Sequence, residues 1–182
     1  AFDYIGLGGI ESYLIFIGIA LNAAAIPLHA WLPDAYPNGT PTSTVFLSAF
    51  TTKSAVYLLI RTFPGADILL VIGGLMVSLP IFYAVLENDI RRVLSYSLMN
   101  QVGFMLVGIG IGTELALNGA VAHAFCHILY KALLFMAAGS VLQMTGKIKC
   151  TEIGGLYKTM PLTCLFCIIG AASISAFPLF SG

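Results

Sequence analysis

The sequence predicts an all-α polytopic membrane protein of about six transmembrane helices, two of them broken. Three observations carry that prediction. Hydrophobic residues make up 59% of the 182 residues and charged residues only 9%, against roughly 25% charged in a soluble domain. The mean hydropathy is +0.97. The few charges punctuate the chain at intervals, leaving uncharged runs near the ~20 residues that a helix needs to cross a ~30 Å hydrocarbon core. Those runs are continuously apolar, which favours helices over the alternating strands of a barrel. Lys+Arg and Asp+Glu both number 8, so the formal net charge is zero. No basic patch points to nucleic acid, and no acidic tail to a solvating partner. The chain starts at Ala1 with no cleavable signal pattern. It reads as a single membrane domain over residues 1–182, a fragment of a larger subunit.

The elements follow in order. Ser12 to Pro33 is free of formal charge, and Asp34 to Pro41, polar and Pro/Gly-bearing, reads as a loop. Thr42 to Arg61 is apolar except for Lys53; Pro64, Gly65 and Asp67 mark a turn; Ile68 to Leu86 is uncharged. Glu87, Asn88, Asp89, Arg91 and Arg92 form a charged hinge that reads as an ion-pair cluster. Val93 to Thr113 is uncharged, and Leu115 to Thr145 is interrupted only by His123, His127 and Lys131. Gly146 to Thr159 is charged, and the chain is apolar again from Met160. No strong internal repeat is visible. Trp31, Tyr36 and His29 beside the first loop read as membrane-interface anchors. Cys126, Cys164 and Cys167 sit inside apolar runs, where cysteine packs as a small hydrophobe. No metal site and no cofactor is expected.

Arg91, Arg92, Lys147, Lys149 and Lys158 fall on one side of the membrane and Arg61 alone on the other. The positive-inside bias puts the loops near 35–41, 88–92 and 146–159 in the cytoplasm.

Two spans hold basic residues that a bilayer should expel, at a cost of ~2.5–3.5 kcal/mol on insertion scales. Lys53 lies near the middle of one. Lys131 lies mid-span in another, with His123 and His127 at spacings of four, so that the three side chains project from one helix face ~6 Å apart. A buried lysine can gain and release a proton as its surroundings change, and histidine needs even less perturbation near neutral pH. The row is a candidate proton relay, to be weighed against structural pairing with a carboxylate or a helix–helix hydrogen bond. Pro27 and Pro178 each interrupt a span and free a backbone carbonyl. In membranes such breaks tend to line cavities or ion sites.

Three motifs then carry a resemblance. Pro27-Leu28-His29-Ala30-Trp31-Leu32-Pro33-Asp34-Ala35, followed by Pro41-Thr42, is the first. Asn88-Asp89-Ile90-Arg91-Arg92-Val93-Leu94-Ser95-Tyr96-Ser97 with Gln101-Val102-Gly103 is the second, and Ala122-His123 through His127 and Lys131-Ala132-Leu133-Leu134-Phe135 the third. In this order they resemble the antiporter-like membrane subunits of respiratory complex I, of Mrp-type Na+/H+ antiporters and of membrane-bound hydrogenases. The resemblance covers nearly the whole chain. It implies part of an inverted-repeat fold in which the breaks at Pro27 and Pro178 belong to two related bundles. It implies proton translocation, or the exchange of protons for Na+, as one membrane subunit among several, in a bacterial or archaeal inner membrane. Lys53 then resembles the family's bridging lysine, and His123, His127 and Lys131 its central relay. The departure is Asn22, which stands where many relatives carry a pivotal lysine. That leaves two other readings open: a membrane-arm subunit of an NADH:quinone oxidoreductase or hydrogenase with no redox centre of its own, or a structural subunit that has lost conduction. No catalytic residue is assigned, and whether the subunit serves an enzyme stays open.

Overall fold

The structure, a computed structural model, describes residues 7–180, so both ends of the expected 1–182 domain lie outside the described residues. Each of the six apolar runs carries a helix among the described residues. Four helices are long and apolar enough to cross a membrane, at Pro41–Thr62, Asp67–Leu86, Ile90–Ile111 and Glu114–Thr145. Two shorter apolar helices, Ile10–Asn22 and Pro161–Ile174, run into the breaks.

In chain order α1 spans Ile10–Asn22, α2 Trp31–Asn38 and α3 Pro41–Phe46. A π-helical turn at Leu47–Thr51 joins α3 to α4, Thr52–Thr62, within one continuous span. Then follow α5 (Asp67–Leu86), α6 (Ile90–Ile111) and the 32-residue α7 (Glu114–Thr145). A single 3-10 turn at Cys150–Glu152 and the short α8 (Leu156–Thr159) lead into α9, Pro161–Ile174. At 1.5 Å per residue α7 is ~48 Å long, more than a ~30 Å core requires. The outward side chains of α5 are apolar (Val71, Leu75, Phe82 and Val85 are exposed), as a lipid-facing surface demands.

The backbones of α5 and α6 nearly touch. A Cβ added to Gly73 would meet the Val107 amide nitrogen at 2.8 Å, and one added to Gly103 would meet that of Val77 at 2.8 Å. Any side chain there would push the helices apart. The core runs from Phe16 and Phe63, edge to face at 5.5 Å, through Leu59, Leu98 and Leu106 to Phe135.

The two breaks are built alike. At the end of α1, Ala24 takes the left-handed conformation at φ 54°. Its N–H donates to Leu21 O at 3.1 Å, and Ala25 N–H to Ala20 O at 2.8 Å. At the end of α9, Ala176 sits at φ 53°. Its N–H donates to Ser173 O at 3.2 Å, and Phe177 N–H to Ala172 O at 3.1 Å. This is the paired closure that usually ends a helix on glycine, here forced onto alanine. Each closure runs into a four-residue turn, Ala25 to Leu28 with a cis Ile26–Pro27 bond, and Phe177 to Phe180 around Pro178. A kinship that the sequence does not display is plain in the backbone.

The basic loops meet at one end of the bundle. Ile90 N–H donates to Ile148 O at 3.1 Å, Cys150 N–H to Asn88 O at 2.8 Å, and Asn88 Nδ2 to Thr151 Oγ1 at 3.0 Å. Arg92 pairs with Asp34 at 2.7 Å and, more loosely, with Glu87 at 3.7 Å.

Three expectations change here. Residues 34–38, expected in a loop, are helical. Asp34 falls in the first turn of α2, where it complements the helix dipole. Asn38 Nδ2 donates to Asp34 O at 2.7 Å across the last turn. Tyr36, expected at the membrane interface, is fully buried and donates its hydroxyl to Leu47 O at 3.0 Å. Burial also pushes its phenol above the usual range, keeping it a neutral donor. Arg91, expected in the loop ion-pair cluster, is instead 3% exposed. Its guanidinium donates to Pro37 O at 2.7 Å, Gly39 O at 2.8 Å, Tyr36 O at 3.1 Å and the Thr44 hydroxyl. It closes the C-terminus of α2, whose last carbonyls have no helical partner.

Candidate functional site

The site begins at the π turn. Thr40 caps α3 by accepting from Ser43 N at 3.2 Å, and Pro41 sets the first turn. The wide turn at Leu47–Thr51 inserts an extra residue, which turns the face that α4 presents. Lys53 follows directly and folds back on it. Its Nζ donates to Ser48 O at 2.9 Å and to Thr52 Oγ1 at 3.1 Å, and the residue is 7% exposed. Asn22, the last residue of α1, reaches the same turn, with Nδ2 3.4 Å from Thr51 O. The first break, with Pro27 in it, is thereby tied to the element that carries Lys53. Beside Lys53 a cavity of about 450 Å³ opens outward, with Phe50, Ser54, Tyr57 and Ile128 on its walls.

The second part comes from α7. Lys131 and His127 are both 0% exposed. Neither Lys131 Nζ nor either ring nitrogen of His127 has a hydrogen-bond partner among the described residues, and the same holds for His123 Nε2. The rings of His123 and His127 lie 6.2 Å apart, and Tyr130 packs edge-on to His127 at 5.2 Å. Among the described residues no third ligand joins the histidines into a metal-binding group.

The two parts face each other. The Lys131 charge is felt at Lys53 and at His127, and that of Lys53 at His127 and His123. The four ionisable residues singled out in the sequence, with Asn22 beside them, therefore form one electrostatic cluster inside the bundle. Pro178 stands apart from it, in the second break. Among the described ion pairs none involves Lys53 or Lys131. An array of amine and imidazole groups, buried and within reach of one another's fields, can hand a proton along wherever water bridges the gaps.

Sequence reasoning missed the Ser48–Thr52 cradle and the Arg91 clamp. The cradle leaves no sequence signal, since π turns have none. Arg91 does leave one: it shares a helix face with Ser95, Leu98 and Val102, at steps of four, seven and eleven, and all of these are buried.

Similarity to known proteins extends over the whole chain. Residues 8–182 match the family described as "NADH:quinone oxidoreductase/Mrp antiporter, TM". An F(420)H(2) dehydrogenase subunit of Methanosarcina mazei is 35% identical over 178 residues, 92% of this chain and 26% of that protein. A Na(+)/H(+) antiporter subunit of Alkalihalophilus pseudofirmus is 32% identical over 186 residues, 97% of this chain and 38% of that one. The chain thus spans well under half the length of these relatives. Among solved structures, a chain of the Mrp complex from Dietzia sp. DQ12-45-1b superposes with a TM-score of 0.88 at 26% identity, covering 93% of this chain and 33% of that one. A chain of the membrane-bound sulfane sulfur reductase, an archaeal respiratory membrane complex, superposes at 0.86 with 32% identity, covering 93% and 37%. With the helical membrane fold, the two breaks and this match over nearly its full length, the chain belongs to the NADH:quinone oxidoreductase/Mrp antiporter transmembrane family.

Proposed function

We propose that this chain is the part of a proton-translocating membrane subunit that carries protons between Lys53 and the His123, His127 and Lys131 row, inside a multisubunit complex. The observation that carries the reading is the pair at α7. Lys131 and His127 are fully buried in a membrane span, and no protein group among the described residues satisfies them. A bilayer-embedded protein keeps such groups where charge passes. The relatives add support, since one is named a sodium/proton antiporter subunit and another a subunit of a dehydrogenase. Exchange of protons for Na+ is the alternative. Protons come in by the Asn22 and Pro27 side of the first break. The break at Pro178 lies on the way out. The loops near 35–41, 88–92 and 146–159 face the cytoplasm of a bacterial or archaeal cell, on the strength of their basic residues.

The test replaces each lysine by alanine in the full-length subunit, with proton flux measured in vesicles carrying the assembled complex. Loss of flux in both variants at wild-type assembly is the expected result. Wild-type flux in both would mean that conduction runs elsewhere and that the chain is a scaffold. The scaffold reading has one observation in its favour: Asn22, uncharged, holds the π turn by a hydrogen bond.

A further inference from the structure

Between α7 and the second break lies a cavity of about 190 Å³, with Tyr130, Gly170, Ser173 and Phe180 among its lining residues. A liquid water occupies ~30 Å³, so the space admits several. Its location is informative. One wall is α7, one helical step from the buried Lys131 and His127. The other is the last turn of α9, where the chain turns left-handed at Ala176. Gly170 lets the two helices approach, because a Cβ there would meet Leu134 side-chain carbons at 3.0 Å.

Tyr130 belongs to both sides. Its ring packs edge-on to His127, with centroids 5.2 Å apart at 66°. It precedes Lys131 in the chain, is 3% exposed, and lines the cavity that reaches Ser173. Packing against His127 needs only an aromatic ring, which phenylalanine would supply. The hydroxyl adds a group that both donates and accepts.

We propose that the Tyr130 hydroxyl relays protons between the His127/Lys131 pair and the second helix break, through water held in the cavity against Ser173. The inference rests on the relay reading above and extends it toward the Pro178 side. In the step, the Tyr130 oxygen accepts a proton from a donor on the His127/Lys131 side as its own O–H bond breaks toward cavity water. The phenol is neutral before and after, and rotation about its C–O bond resets it. No oxidant, metal or leaving group is involved.

The experiment is proton flux, in water and in D2O, through vesicles bearing the full-length complex with Tyr130→Phe, Ser173→Ala or Lys131→Ala. Rates are normalised to assembled complex. Tyr130→Phe should lower flux about tenfold or more, short of the ~100-fold and upward that an essential proton-transfer group contributes, and should change the solvent isotope effect. Ser173→Ala should lower it less. Lys131→Ala should abolish it. Wild-type flux and isotope effect in Tyr130→Phe or, should that variant fail to assemble, in Ser173→Ala, beside a dead Lys131→Ala, would overturn this inference and leave the relay standing. Wild-type flux in all three would overturn both.

Discussion

Lys53 and Lys131 are both buried amines in membrane helices, and the protein treats them in opposite ways. Lys53 sits in a cradle of its own chain: Ser48 O at 2.9 Å, supplied by the π turn just before it, and Thr52 Oγ1 at 3.1 Å, from the first residue of α4. It also lines an outward-opening cavity. Lys131 lies on the long uninterrupted α7, where every backbone carbonyl within reach is committed to the helix. Its Nζ has no partner among the described residues, and its neighbour His127 has none at either nitrogen. An unsatisfied buried polar group costs on the order of 1–3 kcal/mol and a charged one more. The contrast shows how the fold assigns roles. A helix that departs from regular geometry holds its amine in place. A regular helix leaves its amine with no partner from its own chain, to be served by water.

The largest effect is expected at Lys131. Lys131→Ala should reduce proton flux by two orders of magnitude or more, the scale of losing an essential proton-transfer group, with assembly unchanged. Lys53→Ala should also cost flux, but less, on the order of tenfold, because Ser48 and Thr52 still present polar atoms that can hold water. Quantifying both against assembled complex in the same vesicles checks the order. Asn22→Lys probes the cradle from the other side. It places a second ammonium at the π turn that carries Lys53, and a flux change of several-fold, salt-independent because the site is shielded from ions, is expected. The smallest effect belongs to Thr52→Ala. Removing one hydroxyl from Lys53 forfeits ~0.5–1.5 kcal/mol, a shift of a few-fold in rate.

Much of this was legible in the sequence. The spans, the two breaks and the four ionisable residues follow from charge spacing and proline positions, because a bilayer tolerates few charges and no free backbone polar groups. That Lys53 belongs with the His123, His127 and Lys131 row was implied by the family resemblance alone. What stayed hidden has physical reasons. A π turn depends on one inserted residue and no particular composition, so nothing in Leu47-Ser48-Ala49-Phe50-Thr51 announces it. Arg91 and Arg92 are adjacent and chemically alike, yet one is buried against the end of α2 and the other pairs with Asp34 at the surface. A step of ~100° along a helix separates these fates. The backbone geometry that the two breaks share was equally hidden, since Ala24 and Ala176 take a conformation that alanine does not signal.

On the proposed relay, Lys131 must gain and lose a proton, and not merely carry a charge. Lys131→Arg tests it most directly. The guanidinium keeps the positive charge and nearly the length, but does not deprotonate in proteins. ΔpH-driven flux through vesicles bearing the assembled complex, with Na+ present and absent, should fall in Lys131→Arg as far as it does in Lys131→Ala. Wild-type flux with arginine at that position would contradict the account, reducing Lys131 to a fixed charge.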